Sequence, residues 1–214
     1  MLSPQIQRAL KTLSRGSESI AAVLNMTPTD ENRFVAALAD LQRLADENAI
    51  PIAIVGGLGA IRYGYPAATQ DIDIGVSRDQ LDTLIRVAKT YGFVVAWESK
   101  IGWHTLMHDD VEINVVPEGG KARDTSPTTI PGPTEMGVDS GLQYAKLESW
   151  VELKVSSGRQ KDHAHVVEVL KKTDAVTVEK IQAHLGSVHQ QYLDAFEQLR
   201  KQAIEEGKQE DRRR

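Results

Sequence analysis

Residues 54–76 read IVGGLGAIRYGYPAATQDIDIGV, and their pattern is the most informative in the chain. A short apolar run ends at Gly56 and Gly57, a helical segment follows, and Asp71 and Asp73 then alternate with isoleucine. Alternation of polar and apolar residues is typical of a β-strand, in which residues two apart lie on the same face. The sequence therefore predicts a strand, a glycine turn with a short helix, and a second strand that presents two aspartates on one side.

The two aspartates predict a metal site. Two carboxylates on one face of a strand repel each other, and one would stay protonated unless a cation lay between them. Hard oxygen ligands without cysteine or clustered histidine favour Mg²⁺ over Zn²⁺. Glu112, on the polar side of a predicted strand at 111–116, is the candidate third ligand, ahead of two aspartates in the preceding turn. The alternative is that Asp71 and Asp73 are surface residues of an edge strand.

The turn at Gly56 and Gly57 is a candidate phosphate site. Glycine lets backbone N–H groups approach an anion closely, and a helix that begins near Leu58 would direct its positive end at the same anion. A phosphate bound there would lie beside a metal held by Asp71 and Asp73, which is the minimum arrangement for phosphoryl or nucleotidyl transfer. A glycine pair alone is weak support, since such pairs mark many ordinary turns.

The remaining pattern predicts an α+β fold with a small mixed sheet. Apolar residues at helical spacing predict helices in residues 3–15, 18–24, 28–47, 77–91, 144–156, 160–172, 178–185 and 188–205. Apolar or alternating runs predict strands in residues 52–55, 71–76 and 93–97 and a hairpin in residues 103–116. We predict N-terminal helices at 1–48, a core at 49–133 and a C-terminal helical region at 134–214. Segment 117–133, rich in Pro, Gly and Thr, is the predicted loop or boundary.

The composition limits the classes of function. The chain has 214 residues, of which 41% are hydrophobic and 26% charged, values that are ordinary for a globular protein. It contains no cysteine, which excludes disulfides, thiolate metal sites and cysteine nucleophiles. A net charge of -5 argues against an overall attraction to nucleic acid but allows a local basic groove. No apolar run approaches the roughly 18 residues of a membrane span, and no export signal is apparent, so we expect a cytoplasmic protein.

The opening stretch resembles the nucleotidyltransferase (polymerase-beta-like) superfamily, whose signature is a strand, a Gly-Gly or Gly-Ser turn, Asp-hydrophobic-Asp, and a third acid on a later strand. It is especially similar to the minimal, toxin-type branch that includes the AbiEii-like enzymes. Residues 153–170, LKVSSGRQKDHAHVVEVL, are similar to the basic helical segment of those proteins. The resemblance implies an enzyme that, with Mg²⁺, transfers a nucleoside monophosphate from an NTP to a hydroxyl of an RNA or tRNA end, a protein or a small molecule.

The same resemblance implies roles for particular residues. The implied metal and catalytic carboxylates are Asp71, Asp73 and Glu112. The implied nucleotide- or phosphate-binding residues are Gly56, Gly57, Arg62, Thr69, Lys154 and Lys161. Relatives often carry an arginine shortly before the threonine, where this chain has residues 66–68, and Arg62 is the candidate replacement.

Three alternatives remain open from the sequence. Lys154, Arg159 and Lys161 could form a solvated helix end, with Asp162 as a helix cap. The chain could be a non-catalytic nucleotide-binding or partner-binding member of the same fold, including a component of a toxin-antitoxin system. It could also be a phosphohydrolase that uses the same metals. Candidate partners beyond the substrates are a second copy of the chain, through the N-terminal helices, and an antitoxin; no membrane is expected.

The aromatic residues and histidines receive no catalytic role from the sequence. Trp97, Trp103 and Trp150 are interpreted as core or interface residues rather than as platforms for base stacking. His104 and His108, on either side of a predicted strand and turn, are interpreted as polar surface residues.

Overall fold

One mixed sheet of six strands forms the centre of the part of the chain that the structure describes. The structure is a computed structural model that describes residues 30–65, 69, 71–99 and 102–212; the helices predicted at 3–15 and 18–24 lie outside them. The strands are β1 (Ile52–Ile54), β2 (Asp71–Val76), β3 (Val94–Glu98), β4 (His104–His108), β5 (Val111–Pro117) and β6 (Leu142–Tyr144). Their order is β3-β4-β5-β2-β1-β6, with β2 parallel to β5, β1 parallel to β6 and the other neighbours antiparallel. The predicted α+β class is confirmed.

Seven α-helices accompany the sheet within the described residues. They are α1 (Asp30–Glu47), α2 (Gly56–Arg62), α3 (Leu81–Ala88), α4 (Leu147–Ser157), α5 (Gln160–Leu170), α6 (Ala175–Val188) and α7 (Gln190–Asp211). A 3-10 turn, Lys89–Tyr91, extends α3. Gly158 ends α4 in the left-handed conformation, and the Asp174 side chain accepts from the Thr177 N–H to cap α6. The predicted helical region at the C-terminal end is confirmed.

One face of the sheet carries the main hydrophobic core. Ile72 and Ile74 of β2 and Ile113 and Val115 of β5 are fully buried on this face. Each such side chain contributes about 1.5–3 kcal/mol when it leaves water. A slip of one residue would move these side chains to the polar face, so their burial holds the register of both strands.

The opposite face carries a smaller core and the polar residues. Ala53 and Val55 pack there against Ile130, Met136 and Val138, which belong to the connection between β5 and β6. Ile130, from the segment predicted as a loop or boundary, is therefore part of the core on this face. The polar positions of β2 and β5 lie on this same face.

The predicted hairpin is confirmed by the antiparallel pairing of β4 with β5. Its turn places Asp109 at φ 51, a conformation that aspartate tolerates better than most residues. The prediction that His108 lies on the surface is wrong, because its ring is buried beside Phe93 and its Nε2 lies 2.8 Å from Asp40 Oδ2. His104 is partly buried.

The sixth strand comes from beyond residue 133, because Leu142–Tyr144 pairs with β1. The domain limits at 48 and 133 stay predictions. Among the described helices, none has both the length and the apolar character that crossing a bilayer requires.

Candidate functional site

Strand β2 presents its two aspartates on one face, as predicted. Asp71 and Asp73 are partly buried, whereas the isoleucines between and after them are fully buried on the other face. Parallel pairing sets Asp71 opposite Glu112 and Asp73 opposite Asn114. Because directly paired residues of neighbouring strands share a face, these four side chains lie on the same side of the sheet.

The glycine turn lies directly against this polar row. A Cβ added to Gly56 would lie 1.8 Å from Asp73 Oδ2, and one added to Gly57 would lie 2.6 Å from Thr69 Oγ1. Gly56 also has φ +59, which favours glycine. The Val55 N–H donates to the Asp73 carbonyl at 2.9 Å and continues the pairing of β1 with β2 up to the turn. The turn and the carboxylates are therefore in contact, and no side chain fits between them.

Asp71 is oriented by two neighbours. The Thr69 hydroxyl donates to Asp71 Oδ1 at 2.7 Å, and the Asn114 amide donates to Asp71 Oδ2 at 3.5 Å. Thr69 is buried, and its hydroxyl holds the Asp71 carboxylate in position. A direct contact between Thr69 and a nucleotide stays a prediction.

The electrostatics of Asp73 fit a cation site. Burial raises the pKa of Asp73, and the neighbouring charge of Asp71 raises it further. Lys154, a hydrogen bond from Asn114, and Arg159 act in the opposite direction but do not outweigh them. A cation between the two carboxylates would relieve this cost, and an all-oxygen donor set suits Mg²⁺.

A third metal ligand is not assembled among the described residues. No group of three His, Cys, Asp or Glu side chains in the described ranges is arranged to hold a metal ion. Glu112 is paired with Asp71 across the ladder, but its side chain is exposed. The two aspartates fit one cation, and the role of Glu112 as a further ligand stays a prediction.

A buried ion pair lies at the junction of α4 and α5. Lys154 donates to Asp162 at 2.5 Å, and the Ser157 hydroxyl and Arg159 Nε each donate to the other carboxylate oxygen at 2.6 Å. Burial alone would raise the pKa of Asp162, but the charge of Lys154 and these hydrogen bonds lower it to about 2. The interpretation as a solvated helix end is therefore wrong for Lys154, which is buried. Asp162 is not the N-cap of α5, because Arg159 occupies that position. Lys161 is exposed.

One cavity joins these groups. It has a volume of about 370 Å³ and is lined on the sheet side by Gly56, Asp73, Asn114, Thr105, Trp103 and Trp97. On the helix and loop side, Lys154, Ser157, Arg159, Asp162 and Arg123 line it. The structure thus brings the predicted Gly56, Asp73 and Lys154 together around one space, with Asp71 and Gly57 adjacent to it.

Other predicted binding residues lie elsewhere. Within the described residues, the lining of this cavity does not include Arg62, Lys161 or Glu112. The Arg62 guanidinium lies 5.8 Å from the centre of the Tyr144 ring. The residues that replace the arginine of the relatives, 66–68, lie outside the described residues. The predicted nucleotide contacts of Arg62 and Lys161 stay predictions.

Sequence reasoning missed several residues of the cavity. Asn114 could have been found, because it shares the polar side of its strand with Glu112. Arg123 could not, since it lies in a connection without periodicity. Its guanidinium packs on the backbone of Gly158, where an added Cβ would lie 2.2 Å from Nη1. Trp150 is a core residue, as interpreted, whereas Trp97 is 55% exposed at the end of the cavity.

Comparisons with known proteins found similarity in structure alone. No protein-family model matches the chain, and no curated protein matches it. The solution structure of the antibiotic-resistance factor ANT(2'')-Ia is similar at 16% identity and a TM-score of 0.45, over 86% of this chain and 98% of that one. A crystal structure of ANT(2'')-Ia in complex with adenylyl-2''-tobramycin is similar at 14% identity and a TM-score of 0.41, over 79% of this chain and 96% of that one.

Proposed function

We propose that the chain is a metal-dependent nucleotidyltransferase, which transfers a nucleoside monophosphate from an NTP to a hydroxyl of an acceptor. The observation that carries this proposal is the packing of the glycine turn on the carboxylate pair, with Gly56 against Asp73 and Gly57 against Thr69. Such a turn brings backbone N–H groups close to an anion, and the carboxylates bring cation ligands to the same place. A triphosphate with its divalent cation needs both.

Asp71 and Asp73 would hold the cation, and Glu112 is the proposed third ligand. When bound, Mg²⁺ neutralises charge on the triphosphate and on the leaving group. Thr69 and Asn114 hold the Asp71 carboxylate in place through their hydrogen bonds. Lys154 and Arg159 line the cavity on the other side, where positive charge stabilises the phosphates as negative charge moves onto the leaving group.

The reaction that fits this site is a single in-line displacement. The oxygen of the acceptor hydroxyl forms a bond to the α-phosphorus, while the bond from that phosphorus to the oxygen bridging to the β-phosphate breaks. Pyrophosphate leaves with the electron pair, and the hydroxyl proton passes to a carboxylate of the site or to water. The side chains of the cavity position the reactants and balance charge, which is most of what phosphoryl transfer requires.

The test is transfer of label from radioactive ATP, GTP, CTP and UTP, with Mg²⁺ and total cellular RNA, protein and aminoglycosides as acceptors. We expect incorporation by the wild type and a loss of at least about a hundredfold in the Asp71→Asn/Asp73→Asn variant, because it can no longer hold the cation. The matched control is Asp79→Asn/Asp82→Asn, which removes two exposed carboxylates at the start of α3. Equal incorporation by the site variant and the control would contradict the proposal.

A second candidate is a non-catalytic nucleotide-binding protein of the same fold. It is favoured by Asn114, an amide at the position paired with Asp73, and by the missing group of three acidic ligands in the described residues. Binding of NTP without incorporation into any acceptor would identify this case, and breakdown of NTP without incorporation would identify a phosphohydrolase. A role as a toxin is tested by growth arrest on expression of the wild type but not of the Asp71→Asn/Asp73→Asn variant.

A further inference from the structure

A row of four side chains crosses the sheet from its edge to the carboxylate pair. Trp97 of β3 is paired with Thr105 of β4, Thr105 with Asn114 of β5, and Asn114 with Asp73 of β2. All four line the cavity. Adjacent strands are ~4.8 Å apart, so three spacings place Trp97 about 14 Å from Asp73. The row is the floor of a groove with the carboxylates at one end and an indole at the other.

The side of the groove that faces this floor is positively charged. Lys154 and Arg159 line it, and their shared partner Asp162 is the one carboxylate of the wall in the described residues. Arg159 is nevertheless exposed, so its outer nitrogens face solvent. Arg123 is the third cation, and within the described residues its guanidinium makes no ion pair. Three cations against one carboxylate leave this wall positive, although the chain as a whole is acidic.

The far end of the groove is open and aromatic. Trp97 is 55% exposed on an edge strand, and Trp103 beside it is partly buried. A large exposed ring at the mouth of a positively charged groove is the combination with which proteins bind single-stranded nucleic acid, since the ring stacks on a base and the cations follow the phosphates. Glu98, the next residue of β3, is exposed and lies 3.8 Å from Nε2 of His104, which lines the cavity.

We propose that this end of the groove binds the acceptor, and that the acceptor is the end of a single-stranded nucleic acid chain. Its base stacks on Trp97, and a backbone phosphate binds Arg123, which leaves Lys154 and Arg159 to the triphosphate. This inference rests on the proposed function, which places the triphosphate at Gly56 and Asp73 and leaves the open end for the second substrate. A polycation would be repelled by the positive wall, and a compact acceptor would leave the exposed indole without a role.

The test measures binding of a fluorescein-labelled single-stranded RNA to the full chain, without NTP, by fluorescence anisotropy. With a probe of about ten nucleotides, we expect Trp97→Ala to weaken binding roughly tenfold, which is the usual effect of losing one stacked base. We expect Arg123→Gln to reduce the slope of log K against log salt concentration by about 0.7, because one phosphate contact is lost. Since Trp97 and Arg123 are both exposed, their variants should fold as the wild type does, which circular dichroism verifies.

Matched controls are available on surfaces away from the groove. Val176→Ala removes an exposed apolar side chain of α6, and Arg86→Gln removes an exposed guanidinium of α3. Both are expected to bind the probe with wild-type affinity and wild-type salt dependence. Trp97→Phe keeps an aromatic ring and is expected to bind between the wild type and Trp97→Ala.

Two results would overturn the inference. One is no binding of the probe at low salt, or binding that is equal in the wild type, Trp97→Ala and Arg123→Gln. The other is label transfer to an aminoglycoside or a protein but not to RNA. Because binding is measured without NTP, the two proposals fail separately. Binding that depends on Trp97, without transfer to any acceptor, contradicts the proposed function alone, whereas transfer that is indifferent to Trp97 contradicts only the assignment of the groove.

Discussion

A methyl group added to Gly56 would lie 1.8 Å from the Oδ2 of Asp73. This distance is well inside van der Waals contact, so the carboxylate occupies the space that any other residue at position 56 would need. The Asp73 side chain can therefore keep this position only if residue 56 is a glycine.

Gly56→Ala should destabilise the fold and abolish the proposed nucleotide binding. The backbone there has φ +59, which costs an alanine about 1–2 kcal/mol, and displacement of the Asp73 side chain adds to this. We expect a loss of at least ~2 kcal/mol in the free energy of unfolding by urea titration. The control is Gly207→Ala inside α7, where an added Cβ meets nothing within 4 Å. The free energy of unfolding of Gly207→Ala should rise by about 1 kcal/mol, because alanine has the higher helix propensity. Equal stability of the two variants would contradict the prediction.

The second prediction concerns the indole that supports the turn. Trp150 is fully buried, its Nε1 donates to the Gly56 carbonyl at 3.0 Å, and a Cβ on Gly59 would lie 2.3 Å from the same ring. Gly59→Ala should cost about 1–3 kcal/mol through overpacking. In a double-mutant cycle with Trp150→Phe, the losses in free energy of unfolding should not be additive. The double variant should differ from the sum of the single variants by at least ~1 kcal/mol.

The control for this cycle pairs Trp150→Phe with Gly207→Ala, which are not in contact and should be additive within about 0.5 kcal/mol. Additive costs of Gly59→Ala and Trp150→Phe would show that the two positions do not share space.

The third prediction concerns the acid stability of the ion pair between α4 and α5. The pKa of Asp162 is lowered to about 2 from 3.8, because Lys154 and the hydrogen bonds to the carboxylate outweigh its burial. The folded pKa lies below the unfolded value, so ionised Asp162 stabilises the fold above pH 3.8, and this contribution is lost as the pH falls toward about 2. Asp162→Asn should cost ~3 kcal/mol at neutral pH, because Lys154 is left buried without its partner.

The measurement is the free energy of unfolding of both proteins between neutral pH and pH 2. The difference between wild type and Asp162→Asn should shrink as the pH falls through this window. Asp194→Asn, at an exposed position of α7, should follow the pH dependence of the wild type. A difference that stays constant with pH would contradict the assigned cause.

The fourth prediction concerns the titration of the carboxylate pair in the metal-free protein. Burial raises the pKa of Asp73, and Asp71 raises it further. Because its folded pKa lies above the unfolded one, Asp73 favours the folded state at low pH, and that contribution is lost as the pH rises above the ordinary carboxyl value. Asp71→Asn should lower the pKa of Asp73, as measured by carbon-detected NMR of the labelled carboxyl groups. Asp79→Asn should leave the pKa of Asp73 unchanged. An equal shift of this pKa in both variants would contradict the coupling of Asp73 to Asp71.

Local pattern was sufficient for most of the secondary structure around the site. The alternation at residues 71–76 has a period of two, and that period belongs to any strand, so Asp71 and Asp73 were expected on one face before any packing was known. The same reasoning separated Glu112 and Asn114 from the buried Val111 and Val115. The interpretation of His108 as a surface residue was wrong, because its place beside a turn does not show that a helix covers it, as α1 does here through Asp40.

Contacts between distant residues required the folded chain. Parallel pairing of β2 with β5 sets Asn114 opposite Asp73, and no local pattern encodes the register between strands that lie far apart in sequence. The position of Arg123 against Gly158, and of Trp97 at the end of a row that begins at Asp73, arises in the same way. Periodicity is a property of neighbouring residues, and it accounts for the pair of carboxylates. The cavity beside them depends on how the whole sheet packs. That packing buries apolar side chains from residues far apart in sequence, so no short stretch of sequence predicts it.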